Sequence, residues 1–502
     1  MNTSVLYGKM IVTIIISLFT VRIVLNALGS SDFGTYNLVA GVIAILSFLN
    51  TAMTVSTQRY LSFYQGKDDL ELQKKIFGNS LFLHISIGIC LLLTMQIIGL
   101  LLFEEVLNIE SNRIFAAKVV YQCMCVAVFL NILSVPFIAS INAHEQMHWI
   151  AIVDIVEVML KFIVALMLMW DIIDFDKLIF YGSTTMAISL IALVLYMIIS
   201  LSLYNECSLR IKGYIDRMTL AKMSSFAGWN LFGSLCAVGR LQGVAVVLNV
   251  FKGTTINAAY AISNQVSGQM YSFSGMMMRA VNPQIMKSEG AGDRKQTLRL
   301  SMTSCKFGFF LLSFFAIPCL FEINTVLYIW LKNIPDYAIS FCSLTLITTI
   351  INQLTVGLPS AIQATGRIKG YQSIVGSILL LNVPLAYILL AVGLDPIFVL
   401  VGMMFVEIVA ALFRIYFAKK NVGLSIYGYY SLVLKKITIP VIINISCCLL
   451  VVSSTTVEYR ILITVLFSAM VYGISIFLFG LDKEEKIFLL SLIQKILRKR
   501  KM

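Results

Sequence analysis

Four arginines interrupt stretches of this chain that are otherwise apolar and long enough to cross a bilayer: Arg22, Arg240, Arg279 and Arg414. A charge at mid-bilayer costs at least about 2.5–3.5 kcal/mol, so such a residue normally faces a partner or a wet cavity. Arg22 lies twelve residues past Met10, about 18 Å along a helix, and Arg240 lies midway along a later stretch. A guanidinium stays charged and grips phosphate through two parallel hydrogen bonds. The chemistry on offer is therefore anion recognition, with Arg22 and Arg240 aimed into one shared cavity. The competing reading is that each pairs with an acid or snorkels. Arg279 and Arg414 fall near the inner face, where a long side chain is expected to snorkel to the headgroups.

The acids are fewer. Glu157 and Lys161 are spaced i, i+4 in the favourable order, which predicts a structural ion pair on one helix face. Asp154 precedes them, close to the inner surface. Glu407 stands mid-stretch in FVEIVAALFR, with Arg414 seven residues on along the same face. Asp154 and Glu407 are the candidates for coupling to H+ or Na+, and an interhelical hydrogen bond accounts for Glu407 equally well. Tyr260, Asn264, Ser267, Tyr271 and Ser274 recur at steps of four and three, one face of a helix. Asn50 and Thr54 begin a thinner stripe, with Thr57. Both stripes suit the wall of a hydrated path, and both equally suit polar contacts between helices in lipid.

These residues need helices to hold them, and the chain supplies little else. A helix of about 20 apolar residues crosses a bilayer core about 30 Å thick. Such stretches fall at approximately 10–28, 34–56, 77–103, 119–141, 151–170, 178–203, 223–250, 257–281, 305–327, 340–363, 371–393, 396–418, 436–453 and 460–480. The fold class expected is an all-α integral membrane protein of about 14 transmembrane helices. Hydrophobic residues make up 59% of the 502-residue chain and charged residues 13%, well below a soluble domain. The first stretch lacks a small-residue cleavage site before Asp32, so it is expected to remain as a span.

The net charge of +13 invites a nucleic-acid reading, but its distribution argues against one. With the N-terminus inside, most Lys and Arg fall on cytoplasmic loops and termini, among them Lys74, Lys75, Arg294, Lys295, Lys419 and Lys420. The opposite loops hold only Arg113, Lys118, Lys177, Lys252, Lys332 and Arg460. This is the positive-inside asymmetry, and it predicts a multi-pass protein of the cytoplasmic (inner) membrane with both termini cytoplasmic. Residues 482–502 alternate Ile/Leu with Lys/Arg, which fits an amphipathic helix on an anionic leaflet or a plain stop-transfer tail. Most of the ten cysteines lie inside spans as small apolar fillers. No zinc spacing occurs, and three histidines cannot build a histidine-rich centre, so neither metal nor cofactor is expected.

Sliding the chain against itself reveals a repeat. At an offset of 224, Gly29 falls on Gly253, Tyr36 on Tyr260, Gly66 on Gly290 and Asp69 on Asp293. At 221, Asn131 falls on Asn352. Six spans separate the copies, so they share an orientation, as in transporters built of parallel repeats. The organisation expected is an N-lobe at 1–204 (spans 1–6), a cytoplasmic linker at 205–222, a C-lobe at 223–418 (spans 7–12), two further spans at 419–481 and the tail at 482–502. The Gly29–Tyr36 and Gly253–Tyr260 segments are expected as matching outer turns.

With these elements in place, RIVLNALGSSDFGTYNLVAG, NAHEQMHWIAIVDIVEVMLKF, VLYIWLKNIPDY and AIQATGRIKGYQ carry a family resemblance. The chain resembles the Wzx-like polysaccharide (O-antigen and capsule) flippases of the multidrug/oligosaccharidyl-lipid/polysaccharide (MOP) exporter superfamily. The resemblance implies two lobes forming a V and alternating access. Its implied cargo is an undecaprenyl-pyrophosphate-linked oligosaccharide, used in lipopolysaccharide or capsule biosynthesis beside polysaccharide-assembly proteins. Arg22 and Arg240 would then meet the pyrophosphate. An ion-coupled multidrug exporter of the same superfamily is the alternative, with a more acidic or aromatic cavity expected for cationic drugs. A membrane glycosyltransferase or polymerase fits poorly. Its one signal, Asp174-Phe175-Asp176, lies in a short outer loop away from nucleotide sugars, and no outer loop has room for a catalytic domain. The expectation is a transporter rather than an enzyme.

Overall fold

A computed structural model describes residues 2–44, 47–101, 103, 112–170, 175–209, 213–454, 460–487 and 491. Among them all regular structure is helical. The elements are α1 (Asn2–Ala44), α2 (Ser47–Gly66), α3 (Leu70–Leu101), α4 (Ile114–Ala143), α5 (Met147–Met169), α6 (Lys177–Leu203) and α7 (Arg217–Gly290). There follow α8 (Arg294–Phe321), α9 (Ile323–Leu331), α10 (Ala338–Gln353), α11 (Leu358–Ala364), α12 (Lys369–Leu380), α13 (Asn382–Ala391) and α14 (Ile397–Val422). The last are α15 (Ile426–Tyr429), α16 (Lys435–Ser454) and α17 (Arg460–Ser475), with single π-helical segments at Tyr430–Leu434 and Ile476–Gly480.

Helix covers most of the described part of every expected span, with short breaks such as residues 354–357. Among the described residues, ten helical stretches are by themselves long and apolar enough to cross a membrane, and α10 with α11, bent by 44°, makes an eleventh if the pair is one span. The 74-residue α7 counts once there but contains two expected spans. Asp154, Glu157 and Lys161 interrupt the apolar character of α5. Large apolar side chains are left exposed along the helices, as at Leu100, Val250, Leu450 and Leu466, which in a bilayer is the favourable arrangement.

The two expected outer turns take an unexpected form. Helix runs up to Gly29 and resumes directly after it, and the same happens at Gly253. Gly29 has φ 76° and ψ 169°, and Gly253 φ 79° and ψ −172°. This corner of backbone space is essentially reserved for glycine. One residue with the freedom of glycine makes the break in each helix, where a turn of several residues was expected.

By internal packing the chain divides into two units, residues 1–235 with 282–293 and residues 236–281 with 294–502. The division falls within α7, beyond the expected linker at 205–222, and returns the end of α7 to unit 1.

In unit 1, α4 packs on α6 and α2, and α1 packs on α5. Asp69, Asp176 and Asp216 start α3, α6 and α7 by accepting from free backbone N–H groups of the first turn. The hydroxyl and N–H of Thr219 hold the Asp216 carboxyl below its ordinary range. At the start of α4, Arg113 donates to Asp32 (Nε–Oδ1 2.7 Å) and to Asp176 (Nη1–Oδ2 2.5 Å). Asp176 is thus both cap and ion-pair partner. The end of α7 is held by Glu145, which accepts from Gln284 and Lys287 at 2.9 and 3.0 Å.

Unit 2 has one large core, in which Leu248, Tyr260, Leu312, Phe341, Leu346 and Leu400 are all buried. Tyr337 donates to Asp395 at 2.8 Å, and Asp395 accepts from the Ile397 N–H at the start of α14. The head of α10 is thereby tied to the head of α14, as Arg113 ties α4 to α6. Gly423, at φ 82°, ends α14 after Lys419 and Lys420. The short helix after Gly480 docks by charge. Lys306, 2% exposed, donates to Glu485 at 2.7 Å, and Lys436 to Asp482 at 2.9 Å. Burial raises the Asp482 carboxyl, but Lys436 and Lys306 outweigh it and hold the group below its ordinary range. The rest of the expected amphipathic tail lies outside the described residues, apart from residue 491.

Candidate functional site

Unit 2 holds a partly open cavity of about 420 Å³ bounded by α7, α10, α12 and α14. The helical period decides which residues reach it. From α10 come Thr345, Thr348, Thr349 and Asn352, an i, i+3, i+4, i+7 set, and from α14 come Leu400, Met403, Glu407 and Arg414. From α7 come Arg240 before the Gly253 break and Asn264, Ser267 and Tyr271 after it.

Its electrostatic centre is Glu407. The carboxylate is 2% exposed and accepts three hydrogen bonds: from Arg414 Nη1 at 2.7 Å, Asn352 Nδ2 at 2.8 Å and Arg240 Nη1 at 3.1 Å. Arg414 also donates to Thr355 Oγ1 at 3.2 Å. A buried carboxylate persists only when its charge is balanced and its lone pairs are filled. Two guanidinium groups against one carboxylate leave one positive charge in excess among the lining residues. The bonds are unequal. Arg414 and Asn352 share Oε1 at short distances, while Arg240 alone holds Oε2, at the longest.

The expected site residues separate into three groups. Arg240, Glu407, Asn264, Ser267 and Tyr271 line this one cavity. Tyr260 and Ser274, at the ends of the same stripe, do not line it. Tyr260 is 1% exposed in the unit 2 core, and Ser274 is buried with its hydroxyl bonded to the Tyr271 carbonyl. A stripe of four turns is longer than the cavity it borders. Arg22, Asp154, Glu157, Lys161 and Thr54 belong to unit 1. Arg22 is exposed on α1 and Thr54 is half-buried on α2. Asp154 pairs with Lys9 and accepts from Tyr196 Oη at 2.8 Å, while Lys161 donates to Glu157 at 2.6 Å. The side chain of Asn50 lies outside the described residues.

One expectation is corrected. Arg414 does not snorkel: it is 6% exposed and turned inward onto Glu407. Depth along the helix pointed to the headgroups, but a carboxylate two turns away on the same face is the stronger attraction in a dry interior. Arg279, by contrast, is exposed. The threonines of α10 were missed altogether. Their signal is the TLITTIIN spacing, which puts Thr345, Thr348, Thr349 and Asn352 on one helix face.

No protein-family model and no curated protein matches the sequence. Solved structures do match the fold. An outward-facing multidrug-resistance MATE transporter of the MOP superfamily superposes with a TM-score of 0.70 at 12% identity, over 84% of this chain and 95% of that one. A MATE protein in complex with MaD3S gives 0.72 at 13%, over 84% and 95%. A MOP-superfamily transporter from Pyrococcus furiosus, described as having a binding pocket of reversed polarity, gives 0.69 at 14%, over 84% and 94%. The fold is therefore of the MATE type. The chain is a multi-pass membrane protein, helical throughout its described regular structure, whose fold is similar to that of these transporters.

Proposed function

We propose that the protein is a secondary transporter working by alternating access, whose cargo carries an anionic headgroup. On the charge of the site we read the protein as a flippase for an undecaprenyl-pyrophosphate-linked oligosaccharide, serving polysaccharide assembly at the bacterial cytoplasmic membrane. The observation that carries it is the Arg240–Glu407–Arg414 cluster, with its one excess positive charge in a cavity whose otherwise largely apolar wall includes three threonines and two asparagines. A phosphate would compensate that charge, and hydroxyl and amide groups suit a sugar. The basic bias of the proposed cytoplasmic loops supports an orientation with both termini inside.

Multidrug export is the second reading, and the fold likeness favours it, since two of the three neighbours described, and others besides, are MATE proteins. The Pyrococcus neighbour, with its reversed pocket polarity, supports the view that this fold is not bound to one sign of cargo. Coupling to H+ or Na+ through Glu407 or Asp154 belongs to either reading.

Reconstituted proteoliposomes separate the two. A fluorescent short-chain polyprenyl-pyrophosphoryl sugar should change leaflet in the presence of the protein, and Arg240→Ala should abolish this while leaving insertion intact. Arg240→Lys should rescue in part, because it keeps the charge and loses the fork. Accumulation of a cationic dye, with no movement of the lipid-linked sugar, would establish the exporter reading instead.

A further inference from the structure

Arg240 and Arg414 share one carboxylate but are held very differently. Arg414, its side chain 7% exposed, donates to Glu407 Oε1 at 2.7 Å and to Thr355 Oγ1 at 3.2 Å. Arg240, its side chain 21% exposed, makes one bond among the described residues, from Nη1 to Glu407 Oε2 at 3.1 Å. A guanidinium carries five N–H donors, so most of those on Arg240 are unused. Of the two cations lining this cavity, Arg240 is the looser and the more accessible.

The polar groups around it offer an anion little. Thr348 and Thr349 donate their hydroxyl protons to the carbonyls of Leu344 and Thr345, and Ser267 donates to that of Asn264. Those hydroxyls keep only lone pairs for a ligand, which suits the O–H groups of a sugar and repels a phosphate oxygen. Asn352 already donates to Glu407. An anion in this cavity therefore finds its strongest donors on Arg240, and the group it must displace there is Glu407.

Such an exchange strands no charge. With Arg240 turned to the anion, Glu407 stays balanced by Arg414 and bonded through Oε1 to Arg414 and Asn352. What is given up is the single bond at Oε2, the longest of the three. A phosphate group can form two charge-assisted bonds with the guanidinium fork in return.

We propose that the Glu407 carboxylate and the phosphate of the cargo compete for Arg240. Glu407 Oε2 holds the place of a phosphate oxygen, and binding exchanges one ion pair for the other while Arg414 keeps Glu407 in position. Arg240 is then the ligand to the cargo and Arg414 a positioning residue. This deepens the anionic-cargo reading and rests on it. If Glu407 instead oriented Arg240 toward the cargo, its removal would weaken binding rather than strengthen it.

The test is the affinity of the full chain in lipid nanodiscs for inorganic pyrophosphate, by titration calorimetry, with empty nanodiscs as the blank. Glu407→Gln removes the competing charge and keeps a carbonyl for Arg414 and Asn352. It should bind about tenfold tighter than the unsubstituted protein, and Arg240→Met should lose the binding. Removing a negative charge also favours an anion from a distance, so a further variant holds the charge constant. Glu407→Leu combined with Arg414→Met keeps one net positive charge on the cavity and has no competitor, and it too should bind about tenfold tighter. It decides alone if Glu407→Gln does not fold. Unchanged or weaker binding in either variant would overturn the competition, and the anionic-cargo reading would stand as long as binding still required Arg240. Binding undiminished in Arg240→Met, or no binding above the blank in any of the proteins, would overturn both.

Discussion

Gly66 and Gly290, 224 residues apart, each occupy a place where the helix of the other leaves no room for a side chain. A Cβ on Gly66 would collide with the Lys287 carbonyl, and one on Gly290 with the Phe63 carbonyl. The ends of α2 and α7 thus meet backbone to backbone, within unit 1, at residues matched by the internal repeat. Small residues allow this approach where lipid provides no hydrophobic drive between helices.

Gly66→Ala and Gly290→Ala should each destabilise the protein, by about 1–3 kcal/mol, because the obstacle is backbone and cannot swing aside. Gly473→Ala, where nothing lies within 4 Å, is the control and should be neutral or slightly stabilising. Thermal unfolding in detergent measures all three. Equal midpoints for Gly66→Ala and the control would show that the two helix ends do not hold this contact.

Gly29→Ala and Gly253→Ala test a different property, since neither site is crowded. The cost there is conformational, about 1–3 kcal/mol each, and should be alike because the two glycines share one backbone geometry. The same unfolding assay reads it. A loss at only one position would mean that the two breaks are not equivalent.

Glu407→Ala should be the most damaging change in the unit 2 cavity, about 3–5 kcal/mol, since it strands a buried guanidinium. Glu407→Leu combined with Arg414→Met should cost clearly less than the two single changes added together. Arg240→Met should cost less than Arg414→Met, because Arg240 makes one bond, at 3.1 Å, and is the more exposed of the two. A cycle showing strict additivity would refute the coupling.

Cys207, in the segment after α6, should resist modification. Burial pushes its thiol up to about 12, and the nearby Ser140 hydroxyl lowers it only partly. At neutral pH very little of it is thiolate, the reactive form. In a variant with the other cysteines replaced, maleimide labelling should be slow in mild detergent and rapid after denaturation in SDS. Fast labelling of the native protein would contradict the burial.

Some of this was legible in the residues alone, and the reason is locality. Whether a segment crosses a bilayer depends on its length and apolarity, so the spans could be read without knowing their neighbours. The i, i+4 spacing of Glu157 and Lys161 depends only on helix geometry, and their 2.6 Å bond follows from it. The spacing of Gly29 and Gly253 likewise marked where the helices are interrupted, though a turn of several residues was expected at each and a single glycine makes the break.

What the tertiary structure alone decided is which distant groups meet. Arg240 and Glu407 are 167 residues apart, and their bond depends on how each helix is rotated about its axis. Depth along a helix is encoded in sequence, but that rotation is set by packing against every neighbour at once. For the same reason Arg414 turned inward rather than to the headgroups, and Tyr260 entered the core while Asn264, one turn on, borders the cavity.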